Sequence, residues 1–286
     1  MDNEQSTNST IKAPRNLESF EVPYFPKDDL ICSRPLYLFL HDHSMILDHF
    51  LHTINLAATA DKVQKIASRA LNKIDNKAMN QDDENEEEEF SGENFKRLKD
   101  RAYISSKNLL TGIIDSFLWY ISEIIQESMK RKPEIVKSGQ TIKIEELFLF
   151  KKKRDLINHI VEQKVHSLSY KGIDEIEKFI SDSLGVDMFV EKDDKDYMKQ
   201  FIETRNIYVH NRGIADRVFV EKMKYINKTY TVGKRISFDY EKLALLSNVC
   251  AKTANNIDEK ISLKFGIERK KRSTWKKNAK PVGYQD

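Results

Sequence analysis

Arg205 and His210 stand five positions apart in the run Glu203-Thr204-Arg205-Asn206-Ile207-Tyr208-Val209-His210-Asn211-Arg212-Gly213. Both side-chain types suit chemistry on a phosphodiester. Cleaving RNA without a metal requires a base for the 2′-hydroxyl, an acid for the departing 5′-oxygen, and positive charge against the phosphorane. Histidine suits the proton transfers because its unperturbed pKa, about 6.5, lies near working pH. Arginine suits the third role because its planar fork offers several donors to phosphate oxygens. On a helix, Asn206, His210 and Gly213 follow one another at intervals of four and three and share a stripe. The glycine there either leaves room for close approach or ends the helix. Asn206 and Asn211 can orient the pair or contact phosphate, and Asn211 beside Gly213 is equally placed to cap the helix.

The same residues admit a plainer reading. Phe201, Ile202, Tyr208 and Val209 lie three or four positions from Arg205, so its stem leaves an apolar face and only its length carries the guanidinium to the neighbouring stripe. A guanidinium there must meet an anion, since a buried unpaired charge is too costly to persist. Asp115 and Glu123 are the two candidates, with His210 then a hydrogen-bonded residue at a helix end. Spacing alone does not choose between the two readings.

The elements that must position these residues are helical. Charged residues make up 33% of the 286 residues, with only 9 Gly and 6 Pro, and Leu, Ile, Lys and Glu recur throughout, which favours helix over sheet. Residues 1–35, with Pro14, Pro23, Pro26 and Pro35, read as a disordered start leading into an extended arm. Helical periodicity begins after Pro35 and continues to about Ala78. A second helix is expected from about Asn94 to Lys130, apolar along Leu109, Leu110, Ile113, Ile114, Phe117, Leu118 and Ile121. Further helices are expected over about Lys143 to Leu168, Gly172 to Leu184, Asp194 to Asn211 and Tyr240 to Phe265. Between the last two, Arg217 to Asp239 reads as an irregular loop or a short β-hairpin around Gly233. The expected architecture is all-α: one helical domain over residues 36–268, an acidic loop at residues 81–93, and a basic tail at residues 269–286.

The ordered series of these segments resembles the HEPN superfamily of ribonucleases, in its stand-alone bacterial defence-type form. Arg205 to His210 is similar to the R-N-x-x-x-H motif of that family. The likeness extends over most of residues 105–265. It takes in Asp115 just before Phe117, the link Thr141 to Leu147, the element Phe179 to Gly185, and Gly233 leading to Ile236. The resemblance implies a HEPN-type bundle and an endoribonuclease that needs no metal or other cofactor. It also implies a 2′,3′-cyclic phosphate product and a role in phage defence or growth arrest. Arg205 and His210 would be catalytic, with Asn206, Asn211 and Asp115 supporting them and Arg212 on the RNA. One histidine per chain cannot easily act as acid and base together, and the family's homodimer, with two motifs facing one cleft, is implied here too. Superfamily toxins paired with a nucleotidyltransferase antitoxin tend to carry Tyr two residues after the His. Arg212 in that place argues against such a partner and leaves another antitoxin or defence-system partner open. The rival reading is a non-catalytic helical dimerisation or RNA-binding module.

Charge and composition narrow the classes further. Net charge is +3, yet seven carboxylates fall between Asp82 and Glu89, so the remainder is distinctly basic. A basic remainder suits a polyanion such as RNA. The tail Arg269 to Lys277 mixes cations with Trp275, a combination suited to phosphate neutralisation and base stacking, which makes Lys270, Lys271 and Arg272 RNA-binding candidates. A tail with incidental charge fits equally well. Two cysteines, Cys32 and Cys250, form neither a C-x-x-C pair nor a disulfide framework, which points to a reducing, cytoplasmic setting. The start of the chain is not signal-like. Leu109 to Ile125 falls short of a membrane span and carries Asp115 and Glu123. His41, Asp48 and His52 share a helix face with Met45, a weak metal pattern that is left as a solvated face, so no metal is expected. No Gly-rich phosphate loop, G-x-S-x-G or cysteine nucleophile constellation is present.

Overall fold

The computed structural model describes residues 22–74, 92–135, 150, 152–169, 172–226 and 228–278. Among them the chain is mostly helical, with one small antiparallel sheet. In chain order the elements are β1 (Ile31–Ser33), α1 (Arg34–Ile74), α2 (Glu93–Asp100), α3 (Ala102–Arg131), α4 (Lys153–Ser169), α5 (Ile173–Phe179), α6 (Lys192–His210), α7 (Arg217–Lys224), α8 (Tyr240–Phe265), β2 (Arg269–Lys271) and α9 (Arg272–Asn278). No helix among the described residues is long and apolar enough to cross a membrane.

Helix ends follow local chemistry. Ser33 Oγ accepts from Leu36 N at 3.2 Å and so caps α1, with Pro35 in the first turn, where its missing N–H costs nothing. Asp216 accepts from Phe219 N at the start of α7, and Asp239 from Lys242 N at the start of α8. The first N–H groups of α2 find their acceptor across the fold instead, where Asp61 of α1 takes Asn94 N and Phe95 N, both at 2.9 Å.

Four helices form the core, and their directions can be read from the pairs that meet. Phe39 packs against Phe117 and Tyr120 while Ile46 lies against Gly112, so α1 runs antiparallel to α3. Ser106 Oγ donates to Phe238 O, Tyr120 Oη to Ala254 O and Arg131 to Gly266 O, so α3 and α8 run side by side in the same direction. The Lys252–Asp194 pair near the start of α6, and the Phe201–Phe238 ring contact just before α8, set α6 antiparallel to α8. Leu36, Phe39, Leu110, Ile113, Phe117, Phe201, Leu246 and Ile257 fill the interior, each 0 or 1% exposed. Burying such side chains is the main stabilising term, roughly 1.5–3 kcal/mol each.

The bundle has two unlike ends. At one, β1 pairs with β2 through Ile31↔Lys271, Cys32↔Lys270 and Ser33↔Arg269, and α9 folds over the pair. The buried Asp258 of α8 accepts from Ser33 N and Oγ and lies 3.4 Å from Arg269 Nε. Arg272 pairs with Asp28 at 2.7 Å, and Trp275 Nε1 donates to Cys32 O at 2.9 Å. At the other end α6 stops while α3 and α8 begin. From Asp48 to Leu71, α1 has no buried residue, and its distal half and α2 project past this end as an arm.

Several expectations change. The second long helix is two, divided at Arg101, whose φ of −101° and ψ of 10° break the turn. Among the described residues no β-hairpin lies between α6 and α8. Val218, Phe219 and Val220 belong to α7, and strand character reduces to a single bridge between Ile214 and Arg235. The basic tail is folded to Asn278, held at the sheet end through Arg269, Arg272 and Trp275. The helix after Pro35 in fact starts at Arg34. Within the acidic loop 81–93, Gly92 and Glu93 belong to the start of α2, and residues 81–91 lie outside those described, as do residues 1–21 of the N-terminal arm, the link Thr141 to Leu147 and residues 279–286.

Candidate active site

Helix α6 carries the motif along its last two turns and ends in a glycine-assisted stop. Asn211 N and Gly213 N both donate to Ile207 O, at 2.9 and 3.0 Å, and the chain turns through Arg212 (φ 51°) and Gly213 (φ 75°). The Ile207 carbonyl, one of the last of the helix, is thereby satisfied twice over. Gly213 therefore ends the helix rather than extending the stripe, which stops at His210. A Cβ on Gly213 would lie 2.8 Å from Tyr103 Oη and 2.9 Å from Tyr208 Cδ1, so its open side is already occupied from within the chain. Asn211 takes the capping role, donating through Nδ2 to Ile214 O at 2.6 Å.

Arg205 sits where α6 crosses α3. Its Nε donates to Asp115 Oδ1 at 2.8 Å, and one NH1 hydrogen goes to Asn206 Oδ1 at 3.2 Å. Of the two carboxylates offered by α3, Asp115 makes the pair. Glu123 lies about two turns further along the same helix. The Arg205 side chain is 26% exposed and that of Asp115 50%, so the pair is at the surface with its stem covered. A guanidinium has five N–H donors. Two are used here, and among the described residues the NH2 edge has no hydrogen-bonding partner. His210 is exposed one turn beyond Asn206. The NH2 edge of Arg205 can offer donors to an anion, and His210, further along the same helix, is a side chain suited to proton transfer.

The structure also brings residues to this end that spacing did not single out. Gly233 N donates to Ala215 O, Ala215 N to Lys234 O and Ile236 N to Gly213 O, at 2.8, 2.9 and 2.8 Å. Lys234 and Arg235 are thereby fixed beside the end of α6. Tyr103, at the start of α3, donates to Arg212 O at 2.6 Å, meets Tyr208 edge-on at 5.6 Å and lies under the Arg235 guanidinium at 4.6 Å. Gly233 to Ile236 stood out as a turn segment and as part of the resemblance, and neither signal extended to Tyr103.

The other candidates fall elsewhere. Lys270, Lys271 and Arg272 lie past the far end of α8, whose 26 residues span about 39 Å. Arg272 is 15% exposed and bound to Asp28, and Lys270 pairs with Glu268 at 2.9 Å and lies over Trp275. His41 is exposed on α1, whereas His43 is fully buried with Nε2 2.9 Å from Ser247 Oγ. Among the described residues no group of three or more His, Cys, Asp or Glu side chains gathers as a metal site. Cys32 and Cys250 are buried and unpaired, and burial pushes both thiols up, Cys32 to about 12, which makes them poor nucleophiles.

The fold and site define an all-α bundle with an arginine–carboxylate pair and an exposed histidine at the end of one core helix. No family model, curated protein or solved structure matches the chain.

Proposed function

We propose that the chain is an RNA endonuclease in which Arg205 and His210 act on the scissile phosphate. The observation that carries this reading is the half-open guanidinium of Arg205. Asp115 and Asn206 hold one side of it, the NH2 edge is left without a partner among the described residues, and the exposed His210 follows on the same helix. A phosphate oxygen accepted on that edge would be stabilised as charge develops on it. His210 would take the 2′-hydroxyl proton or supply one to the departing 5′-oxygen. The 2′-oxygen–phosphorus bond forms as the phosphorus–5′-oxygen bond breaks, giving a 2′,3′-cyclic phosphate and a 5′-hydroxyl. With one such histidine per chain, a homodimer facing two motifs across one cleft supplies both roles, as the resemblance to HEPN ribonucleases implies. That two-fold contact would centre on Asn206 and His210, since Gly213 is covered by Tyr103. The same resemblance places the activity in phage defence or growth arrest.

A second reading has its own support. Asp115 already answers the Arg205 charge, which is all that a purely structural arginine needs. In that case the chain is a non-catalytic helical module for dimerisation or RNA binding. Purified protein incubated with total RNA in excess EDTA separates the two. New 2′,3′-cyclic phosphate ends formed by wild type and not by His210→Ala are expected. Intact RNA in the presence of a folded dimer, across pH and activating conditions, would leave the structural reading standing. Sedimentation at micromolar concentration is expected to show a dimer, and a monomer that still cuts RNA would refute the two-motif cleft.

A further inference from the structure

We infer that Arg212, Lys234 and Arg235, organised around Tyr103, form a second phosphate-binding subsite that grips a single RNA strand beside the Arg205–His210 pair. This rests on the RNA reading and extends it to residues outside the motif. Among the described residues, Arg212 is the one non-glycine with a positive φ, at 51°. For an L-residue with a Cβ that conformation costs roughly 1–2 kcal/mol. It persists because both sides hold it: Gly213 N is tied to Ile207 O, and Tyr103 Oη donates to Arg212 O. A glycine or asparagine would make the same turn with less strain. An arginine held this way, exposed and with no ion pair among the described residues, is better explained by what its side chain does than by the turn.

Arg235 adds an independent observation. Its backbone is locked by the bonds on either side of the Ile214–Arg235 bridge, and its guanidinium lies over the Tyr103 ring, 4.6 Å from the centroid. That ring is braced edge-on by the buried Tyr208, whose hydroxyl donates to Ile236 O at 3.1 Å. A guanidinium held over an aromatic face keeps N–H donors available to an anion. Neither Arg235 nor the exposed Lys234 has an ion pair among the described residues, whereas the tail arginines are tied to Asp28 and Asp258. Three exposed cations without an ion pair among the described residues thus stand on chain held together at this end of the bundle. They are spread over an open surface rather than a closed cavity, which fits successive phosphates of a strand better than one small anion. Contacts of this kind hold the backbone and read no sequence.

The test is equilibrium binding, by fluorescence anisotropy across a salt series, of a 2′-O-methyl RNA oligonucleotide that cannot be cut. Arg235→Ala is expected to weaken binding roughly fivefold in dilute salt and to flatten the slope of log K against log salt by about 0.7, the share of one phosphate contact. Arg235→Lys should retain the slope and recover part of the affinity. Tyr103→Leu should weaken binding as Arg235→Ala does, if it folds with an unchanged circular dichroism spectrum. The surface variant Arg235→Ala decides the question even if Tyr103→Leu does not fold. Wild-type affinity and slope in the triple variant Arg212→Ala/Lys234→Ala/Arg235→Ala would overturn the subsite alone, provided wild type still cuts RNA in EDTA. Failure of wild type both to bind and to cut would overturn the RNA reading with it.

Discussion

At the scale of single residues, the Arg205–Asp115 pair is where the catalytic and structural readings diverge. Its side chains are 26% and 50% exposed, so solvent screens the pair and its worth is at most about 1 kcal/mol. Arg205→Ala is therefore expected to lower unfolding stability by no more than about 1 kcal/mol while abolishing cleavage. His210→Ala, at an exposed position, should leave stability within about 0.5 kcal/mol of wild type and also abolish cleavage. Urea unfolding alongside an RNA cleavage assay measures both. A clear stability loss with undiminished cleavage would make the arginine a structural residue. Apolar spacing around Arg205 was enough to show that it needed an anion and to narrow the partner to two carboxylates of one helix. Choosing Asp115 over Glu123 depends on how far α6 slides along α3, which no local pattern contains. Gly213 was legible as a helix stop or a contact point, and only the arrival of Tyr103 from more than a hundred residues away decides which.

At the scale of elements, the long amphipathic helices were legible because their apolar positions repeat over many turns, and α8 begins and ends at Tyr240 and Phe265 as expected. The failures are short. Val218-Phe219-Val220 carries strand-type side chains, yet the Asp216 cap and the burial of Phe219, Val220 and Met223 on one face make it helix α7. The contact between α1 and α8 gives a prediction about pH. His43 is enclosed against Ser247, and burial lowers its pKa from 6.5 to about 4. A histidine held neutral in this way contributes stability that is complete above about pH 6.5 and is lost as pH falls toward 4, because the unfolded chain takes up a proton that the fold refuses. The loss amounts to about 3 kcal/mol across that window. Asp258 acts with the opposite sign: burial raises its pKa against the pull of Ser33 and Arg269, so its burial costs less as pH falls. Both wild type and His43→Gln carry Asp258, so the difference between their pH–stability curves isolates the histidine. That difference is expected to shrink steadily from pH 7 to pH 4 as wild type loses its advantage, and parallel curves would show that His43 does not titrate with unfolding.

At the scale of the whole molecule, the bundle separates two tasks by its length. The end where α6 stops gathers the candidate chemistry, and the opposite end joins the start of the described chain to its finish through β1, β2 and α9. Local charge made the Arg269 to Lys277 segment either an RNA candidate or a tail of incidental charge, and nothing nearby in sequence shows that Asp28, Cys32 and Asp258 lie against it. The partners are up to 244 residues away. This division can be tested by variants at the sheet end. The double variant Arg272→Ala/Trp275→Ala removes the Asp28 pair and the Trp275 contact to Cys32, and is expected to cost about 2 kcal/mol, in the range of lost packing and hydrogen bonds. For a chain of this size that shifts Tm by several degrees. Lys270→Ala/Lys271→Ala should shift Tm by less, since Lys271 is exposed and Lys270 has only a solvent-screened pair with Glu268 and its contact over Trp275. Neither variant should alter the affinity or salt slope for the uncuttable oligonucleotide below its Tm, because about 24 Å of α3, from Asp115 to Arg131, separates them from Arg205, and His210 and Arg235 lie further off at the opposite end. A flatter salt slope in Lys270→Ala/Lys271→Ala would instead mean that the strand runs the length of the bundle and that the sheet end also touches RNA.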